Sequence, residues 1–311
     1  MMYLTIAVLC SVAVSVLLKI LRQRNIDIRQ TIVAGYPIAF LLTWLLLKPD
    51  IKGLQTLDDA WGIIILLGIL LPTVFVILGR AISAVGMVST DAAQRLSLVI
   101  PIIAAFALFG ETLTGTRIVG VILGFLALGA LVYRPQGANR ANKLTQNEVV
   151  GAHYNNHDNG AVENVMVSAP QQLRQTSLWL FAVWAGYGVI DILFKQVAKQ
   201  GAAFPLTLLI SFGLAGLLLL IYLLITRVRW QGNALVAGVV LGTLNMGNIY
   251  AYVRAHQVLS ESPSIVFTGM NVGVITLATL IGVAVFKEQL NRINVLGIVL
   301  AIGCVAVLFL L

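Results

Sequence analysis

The sequence predicts an all-α integral membrane protein of ten transmembrane helices, arranged as two inverted five-helix repeats. Three observations predict it: an apolar composition, ten runs long enough to cross a bilayer, and a motif that occurs twice at nearly one spacing. Of the 311 residues, 59% are hydrophobic and only 10% are charged, and the mean hydropathy is +0.96. A soluble domain of this length needs far more charge at its surface. A helix that spans the hydrocarbon core needs about 20 mostly apolar residues, and such runs fall at 2–21, 30–48, 61–84, 88–109, 116–133, 177–198, 203–225, 233–257, 263–286 and 292–311. Backbone in lipid must satisfy its own hydrogen bonds, so these runs are helices. None alternates at the period of two that barrel strands require.

The first run has no charge before it, ends in Lys19, Arg22 and Arg24, and lacks a small-residue cleavage site. It reads as a retained helix rather than a cleaved leader. Cys10 and Cys304 sit inside the first and last runs and read as small packing residues, not as a disulfide. The formal charge of +8 lies at span ends and in loops, a membrane-surface pattern and not a nucleic-acid footprint.

The duplication gives the organisation. Residues 109–131 read FGETLTGTRIVGVILGFLALGAL and residues 286–308 read FKEQLNRINVLGIVLAIGCVAVL. Phe109, Glu111, Leu113 and Gly120 fall on Phe286, Glu288, Leu290 and Gly297 at an offset of 177. LLKI at 17–20 and LFKQ at 193–196 match at 176, Lys19 on Lys195. Residues 1–133 form the first repeat, 134–176 a polar, Asn- and Gln-rich linker, and 177–311 the second repeat. Five spans per half is an odd number, so the second half is inverted relative to the first. Positive residues number eleven on the linker face and four on the other, which places the linker in the cytoplasm and both termini outside.

Ten spans in two inverted halves, with FGETL…G…G (Phe109 to Gly124), FKEQL…G (Phe286 to Gly297) and RLSLVIP (Arg95 to Pro101), resemble the drug/metabolite transporter superfamily and its EamA-type branch. The resemblance covers nearly the whole chain outside the linker. It implies movement of a small metabolite, often outward, by alternating access, and it carries no information on substrate. The location it implies is the bacterial cytoplasmic (inner) membrane.

The repeat motif itself has a structural reading. Glu111 and Glu288 lie in short turns before the last helix of each half, where a carboxylate meets the positive end of the macrodipole and Thr114 or Asn291 serves as cap. A direct role in transport is the alternative. Gly120, Gly124, Gly129 and Gly297, with Ala301, follow small-xxx-small spacing for close helix packing. Pro37, Pro72 and Pro101 lie inside spans, where they kink helices as hinges or as packing geometry.

Charges within spans cost about 2.5 kcal/mol upward, so each is a functional candidate. Asp91 and Arg95, with Gln94 beside them, and Asp191 and Lys195, with Tyr187 one turn earlier, have i, i+4 spacing and read either as self-neutralising pairs or as gates. Lys19, Arg80 and Arg254 lie near span ends and read as snorkelling cations. Inversion sends Lys19, Arg80, Asp91 and Arg95 to one face and Asp191, Lys195 and Arg254 to the other. Two charged vestibules with a net positive path would favour anionic or zwitterionic solutes. Asn245, Asn248 and Tyr252 share one face of the eighth span, and Gln94 maps onto Asn271 at the repeat offset. These are candidate solute contacts or interhelical hydrogen bonds. Asp191 is the candidate proton carrier.

No Walker-type loop, HExxH or GxSxG arrangement occurs. His153 and His157 share i, i+4 spacing in the linker without further ligands, so neither a metal nor a cofactor is expected. No residue reads as catalytic. The sequence therefore reads as a secondary transporter, an exporter of a small polar metabolite. The alternative is a membrane-embedded enzyme acting on a lipid or lipid-linked substrate, which calls for clustered histidines or carboxylates at an interface.

Overall fold

The computed structural model describes residues 2–24, 26–50, 60–85, 87–112, 114–132, 169–286 and 291–310. Among them the chain is all-α, in eleven helices: α1 (Met2–Gln23), α2 (Ile28–Leu47), α3 (Trp61–Val85), α4 (Met87–Leu96), α5 (Val99–Ala107), α6 (Gly115–Val132), α7 (Ala169–Lys199), α8 (Phe204–Ile225), α9 (Gly232–Val258), α10 (Pro263–Phe286) and α11 (Arg292–Leu310). Seven of these are long and apolar enough to cross a membrane, and three shorter apolar helical stretches cover 92–107, 115–131 and 292–308. Large apolar side chains face outward along most helices, among them Leu46, Ile103, Val236 and Ile302. That is the inverse of a soluble surface and the expected face toward lipid.

Two boundaries differ from the sequence reading. α7 starts at Ala169, so the helix enters the segment expected to be linker. The rest of that segment, His153 and His157 included, lies outside the described residues. The expected fourth span is broken into α4 and α5. Pro101 has no N–H to give the Ser97 carbonyl, and Ile100 N–H takes that carbonyl instead, at 3.0 Å. Pro37 and Pro72, by contrast, are absorbed within α2 and α3, which run on through them.

Close contacts join the helices into one bundle. At the α2–α9 crossing, Gly35 meets Gly238 and Gly242 backbone to backbone. A Cβ on Gly242 would lie 2.9 Å from Gly35 Cα and nearer still to its carbonyl oxygen; one on Gly238 would lie 2.8 Å from Thr31 O. Register here runs the same way in both helices, residues 31–35 against 238–242. α3 against α8 is also parallel, with Gly68 on Leu214 and Ser211 Oγ donating to Ile64 O at 3.4 Å. α1 against α9 and α3 against α7 are both antiparallel: Cys10 sits by Gly247 and Tyr3 by Arg254, Val74 by Gly186 and Arg80 by Trp179. α6 against α11 is antiparallel too, with Gly120 on Leu308 and Gly297 on Leu131.

Polar ties fix the ends. Gln30, 1% exposed, donates through Nε2 to Arg229 O (2.7 Å) and accepts from Gln231 N–H (2.7 Å), binding the start of α2 to the start of α9. Asp27 caps α2 by accepting from Arg29 N–H at 2.9 Å. Burial pushes the Asp27 carboxyl up, and the hydrogen bonds and charge of Arg29 more than reverse that, leaving it below the usual carboxylate range. At α11, Asn291 and Asn294 form a reciprocal capping box, and Asn294 Nδ2 donates to Ala130 O at 3.0 Å. Cys304 packs in the same seam, its Sγ–H on Gly120 O at 3.1 Å, and both cysteines are free.

A methyl group added at the α2–α9 crossing has nowhere to go. Gly242→Ala is expected to destabilise the bundle by about 1–3 kcal/mol, the usual cost of overpacking. Gly303→Ala, whose new Cβ meets nothing within 4 Å, should leave stability unchanged or raise it by up to about 1 kcal/mol. Unfolding in mixed detergent micelles measures both.

Candidate functional site

The centre of the bundle holds a cavity of about 140 Å³ where α2, α3, α7, α8 and α9 converge. Its walls are mainly apolar and aromatic, with Phe75, Phe194 and Phe212 prominent. Four polar side chains reach it: Tyr36, Tyr187, Asn245 and Asn248. Helical spacing explains the set. Asn245 and Asn248 are one turn apart on α9, and Tyr187, Ile190 and Phe194 form a stripe on α7. The Tyr36 hydroxyl and Asn248 Oδ1 are buried and have no hydrogen-bond partner among the described residues. Each such group carries a desolvation penalty of about 1–3 kcal/mol unless something fills the role of partner. A phenol that donates and an amide that accepts thus face one small chamber.

Below this chamber, toward the Met2 end of α1, the aromatic layer thickens. Phe194 meets Tyr252 edge-on at 6.1 Å, Tyr252 meets His256 at 4.8 Å, and His256 meets Phe267 at 4.7 Å. Tyr252 is fixed by donating its hydroxyl to Asp191 Oδ1 at 3.0 Å. Beyond the layer opens a vestibule of about 620 Å³ lined by Lys195, Lys199, Arg254, His256, Gln257 and Ser260, among others.

The sequence-predicted residues separate accordingly. Tyr187, Asn245 and Asn248 line the cavity, while Tyr252 turns away from it to Asp191. Asp191 and Lys195 do not pair. Lys195 Nζ donates to Ser260 O at 2.8 Å and Asp191 accepts from Tyr252. The self-neutralising reading therefore fails here: i, i+4 spacing brings two side chains to one face, and each takes a partner from α9 or its following loop instead. Asn271 Nδ2 bonds its own helix at Phe267 O, 3.1 Å, and lines neither chamber. Gln94 and Arg95 lie on α4, half-buried and away from both chambers. Asp91 is also on α4, with its side chain outside the described part, so its pairing with Arg95 is not described. Lys19, on α1, is likewise outside both linings, and Arg80 lies over the Trp179 ring at 6.0 Å.

Glu111 has a different partner from the one expected. Thr114 caps α6, as read from sequence, accepting from Arg117 N–H at 3.4 Å. Glu111 instead reaches the start of α10: Ser264 N–H donates to Oε2 at 2.8 Å and Ser264 Oγ to Oε1 at 2.6 Å. Its carboxylate is fully buried, with Arg117 Nε at 3.5 Å. Pro263 opens α10, so Ser264 offers one of the orphan amides that a helix start leaves free. Arg117 also donates to Ser262 Oγ at 2.7 Å. Glu288, the counterpart of Glu111, lies outside the described residues. Gly120 and Gly297 serve close packing between α6 and α11.

Sequence reasoning missed Tyr36 and the aromatic walls. Tyr36 stood between Gly35 and Pro37 in a run read only for its kink, and nothing in a sequence separates a lining phenylalanine from a packing one.

Removing the Glu111 carboxylate strips two charge-assisted hydrogen bonds from the α10 start. Glu111→Ala is expected to cost about 1.5–3 kcal/mol per bond lost, and to speed hydrogen exchange at residues 264–266 selectively. Exchange unchanged there would show the contact to be dispensable.

No protein-family model matches the chain. A protein of Haemophilus influenzae, described as uncharacterized, is 44% identical over 314 residues, covering 99% of this chain and 97% of its own length. A solved crystal structure superposes with a TM-score of 0.67 at 14% identity, over 99% of this chain and 96% of that one. At that identity the likeness is one of fold.

Proposed function

We propose that this chain, which belongs to one family with the Haemophilus influenzae protein, is a secondary transporter that exports a small polar metabolite by alternating access. The drug/metabolite transporter type, EamA branch, is the class we assign. On this reading the seven long helices and the three shorter apolar stretches make ten spans, α4 and α5 together forming the fourth. Register supports an inverted arrangement. α1 on α9 and α7 on α3 are equivalent crossings after exchange of halves, and both are antiparallel. α2 on α9 and α8 on α3 are likewise equivalent, and both are parallel. α6 and α11, the last helices of the two halves, are direct counterparts and run antiparallel, as inversion of one half requires. The bacterial inner membrane, with the linker cytoplasmic, completes the assignment.

The observation that carries the function is the central cavity, built by helices of both halves and holding the unpartnered Tyr36 hydroxyl and Asn248 carbonyl. A scaffold has no use for unsatisfied polar groups at the centre of a bundle. A ligand with one acceptor and one donor would satisfy both. Rocking of the two halves would then open the cavity to either side in turn.

A thermal-shift panel on detergent-purified protein tests this, using amino acids, organic acids, sugar phosphates, nucleosides and lipophilic cations. A ligand at about 100 times its Kd stabilises by roughly 2.7 kcal/mol. The expected result is stabilisation by at least one class, lost in Asn248→Ala and weakened in Tyr36→Phe, with uptake of that compound into proteoliposomes. Ligands indifferent to both substitutions, with no uptake, would overturn the proposal.

A further inference from the structure

We infer that the vestibule between α7 and α9 is a recognition site for a small dissolved oxyanion, a carboxylate or phosphate, and that the transported solute carries such a group. The second half of that statement rests on the transport reading; the first does not. Three cations line the vestibule, Lys195, Lys199 and Arg254, together with His256, Gln257 and Ser260. Among the described residues, no carboxylate lines it. The acidic groups that act on Lys195 are Glu111, already committed to Ser264 and Arg117, and Glu261 in the loop before α10.

Several donors there are free. His256 is 1% exposed, yet neither ring nitrogen has a partner among the described residues. Arg254 Nε is also buried and unpartnered, while its other arm donates to Gln257 Oε1 at 2.7 Å. Lys195, 2% exposed, bonds Ser260 O and leaves further ammonium hydrogens. Lys199 is exposed at the rim, 4.6 Å from the Phe109 ring centroid. Buried donors without acceptors among the described residues, beside a cluster of cations, fit an anionic oxygen acceptor.

A lipid phosphate presents the same chemistry. A headgroup tethered by acyl chains outside the bundle reaches Lys199 at the rim, not His256 at the buried floor, which is why the site is assigned to a dissolved solute. It stands on the far side of the Phe194–Tyr252–His256 layer from the cavity, where a solute entering or leaving would meet it.

The test is equilibrium binding of inorganic phosphate and of succinate to the full chain in phosphatidylcholine nanodiscs, at constant ionic strength. Saturable binding of at least one anion is expected, weakened about tenfold in Lys199→Gln and again in Arg254→Gln. Lys199 is exposed, so its variant folds whatever Arg254 does for packing. Gly303→Ala, on α11 and in the lining of neither chamber, should bind the anion as the parent does. Equal affinity in parent and Lys199→Gln would overturn the site. So would anions that bind neither protein, or displacement only by phosphatidylglycerol placed in the disc. If cavity ligands bind and are taken up while the anion affinities stay flat, the vestibule fails and the transporter stands. If the anion binds with the expected losses and nothing is taken up, the site stands and the transport reading fails.

Discussion

Everything central in this bundle depends on how closely α2 and α9 approach. Lipid tails are as apolar as leucine, so burial gives membrane helices little reason to associate, and close packing must supply the attraction. Gly35, Gly238 and Gly242 allow backbone to meet backbone there. That contact brings Tyr36 and Asn248, each close in sequence to a crossing glycine, to the wall of one chamber. A looser crossing would widen the chamber and separate the two groups. A tighter one is impossible, since the helices already touch.

Such a crossing works only if the helices keep their register, and the ties at the two ends of the bundle keep it. At one end the buried Gln30 amide pairs with the Arg229–Gln231 backbone. At the other, Glu111, Arg117 and Lys195, from different elements, all seize the short passage from Ser260 to Ser264. Gln30, Glu111 and Lys195 bond main-chain groups there and Arg117 the Ser262 hydroxyl, and a carboxylate on a helix start gains from the dipole as well. The result is a bundle pinned at its rims around the central chamber.

Much of this was legible in the sequence, for physical reasons. Apolar runs declare helices in lipid because no other backbone state is satisfied there, and seven of the ten runs reappear as long spans. Asn245 and Asn248 stood out because polar groups at one-turn spacing in an apolar run share a face. What failed involved choice among partners. The spacing of Asp191 and Lys195 predicts proximity, but cannot know that Tyr252 and Ser260, distant in sequence, come to lie beside them. Glu111 reads as a device for the nearest helix in sequence, and the helix it serves is 153 residues away. Pro101 reads as a kink, and the helix is interrupted by a turn at 97–98, because the freed Ser97 carbonyl draws Ile100 N–H into a tighter turn.

The repeat also shows which positions tolerate divergence. Gly120 and Gly297 are identical across the two copies, and both sit in the tight α6–α11 seam, where any side chain collides. The cavity positions do not agree. Tyr36 corresponds to Phe212 at the offset of 176 that aligns Lys19 with Lys195, and Asn248 to Leu71 and Asn245 to Gly68 at the offset of 177. In each pair one copy supplies a polar group and the other an apolar side chain or none. On the duplicated fold proposed above, a symmetric frame around an asymmetric chamber is what duplication followed by specialisation would leave. Packing constrains both copies equally, whereas one small ligand needs its hydroxyl and amide contacts only once. The two unpartnered groups are therefore better explained by a guest than by the fold, since the fold already manages with their apolar counterparts.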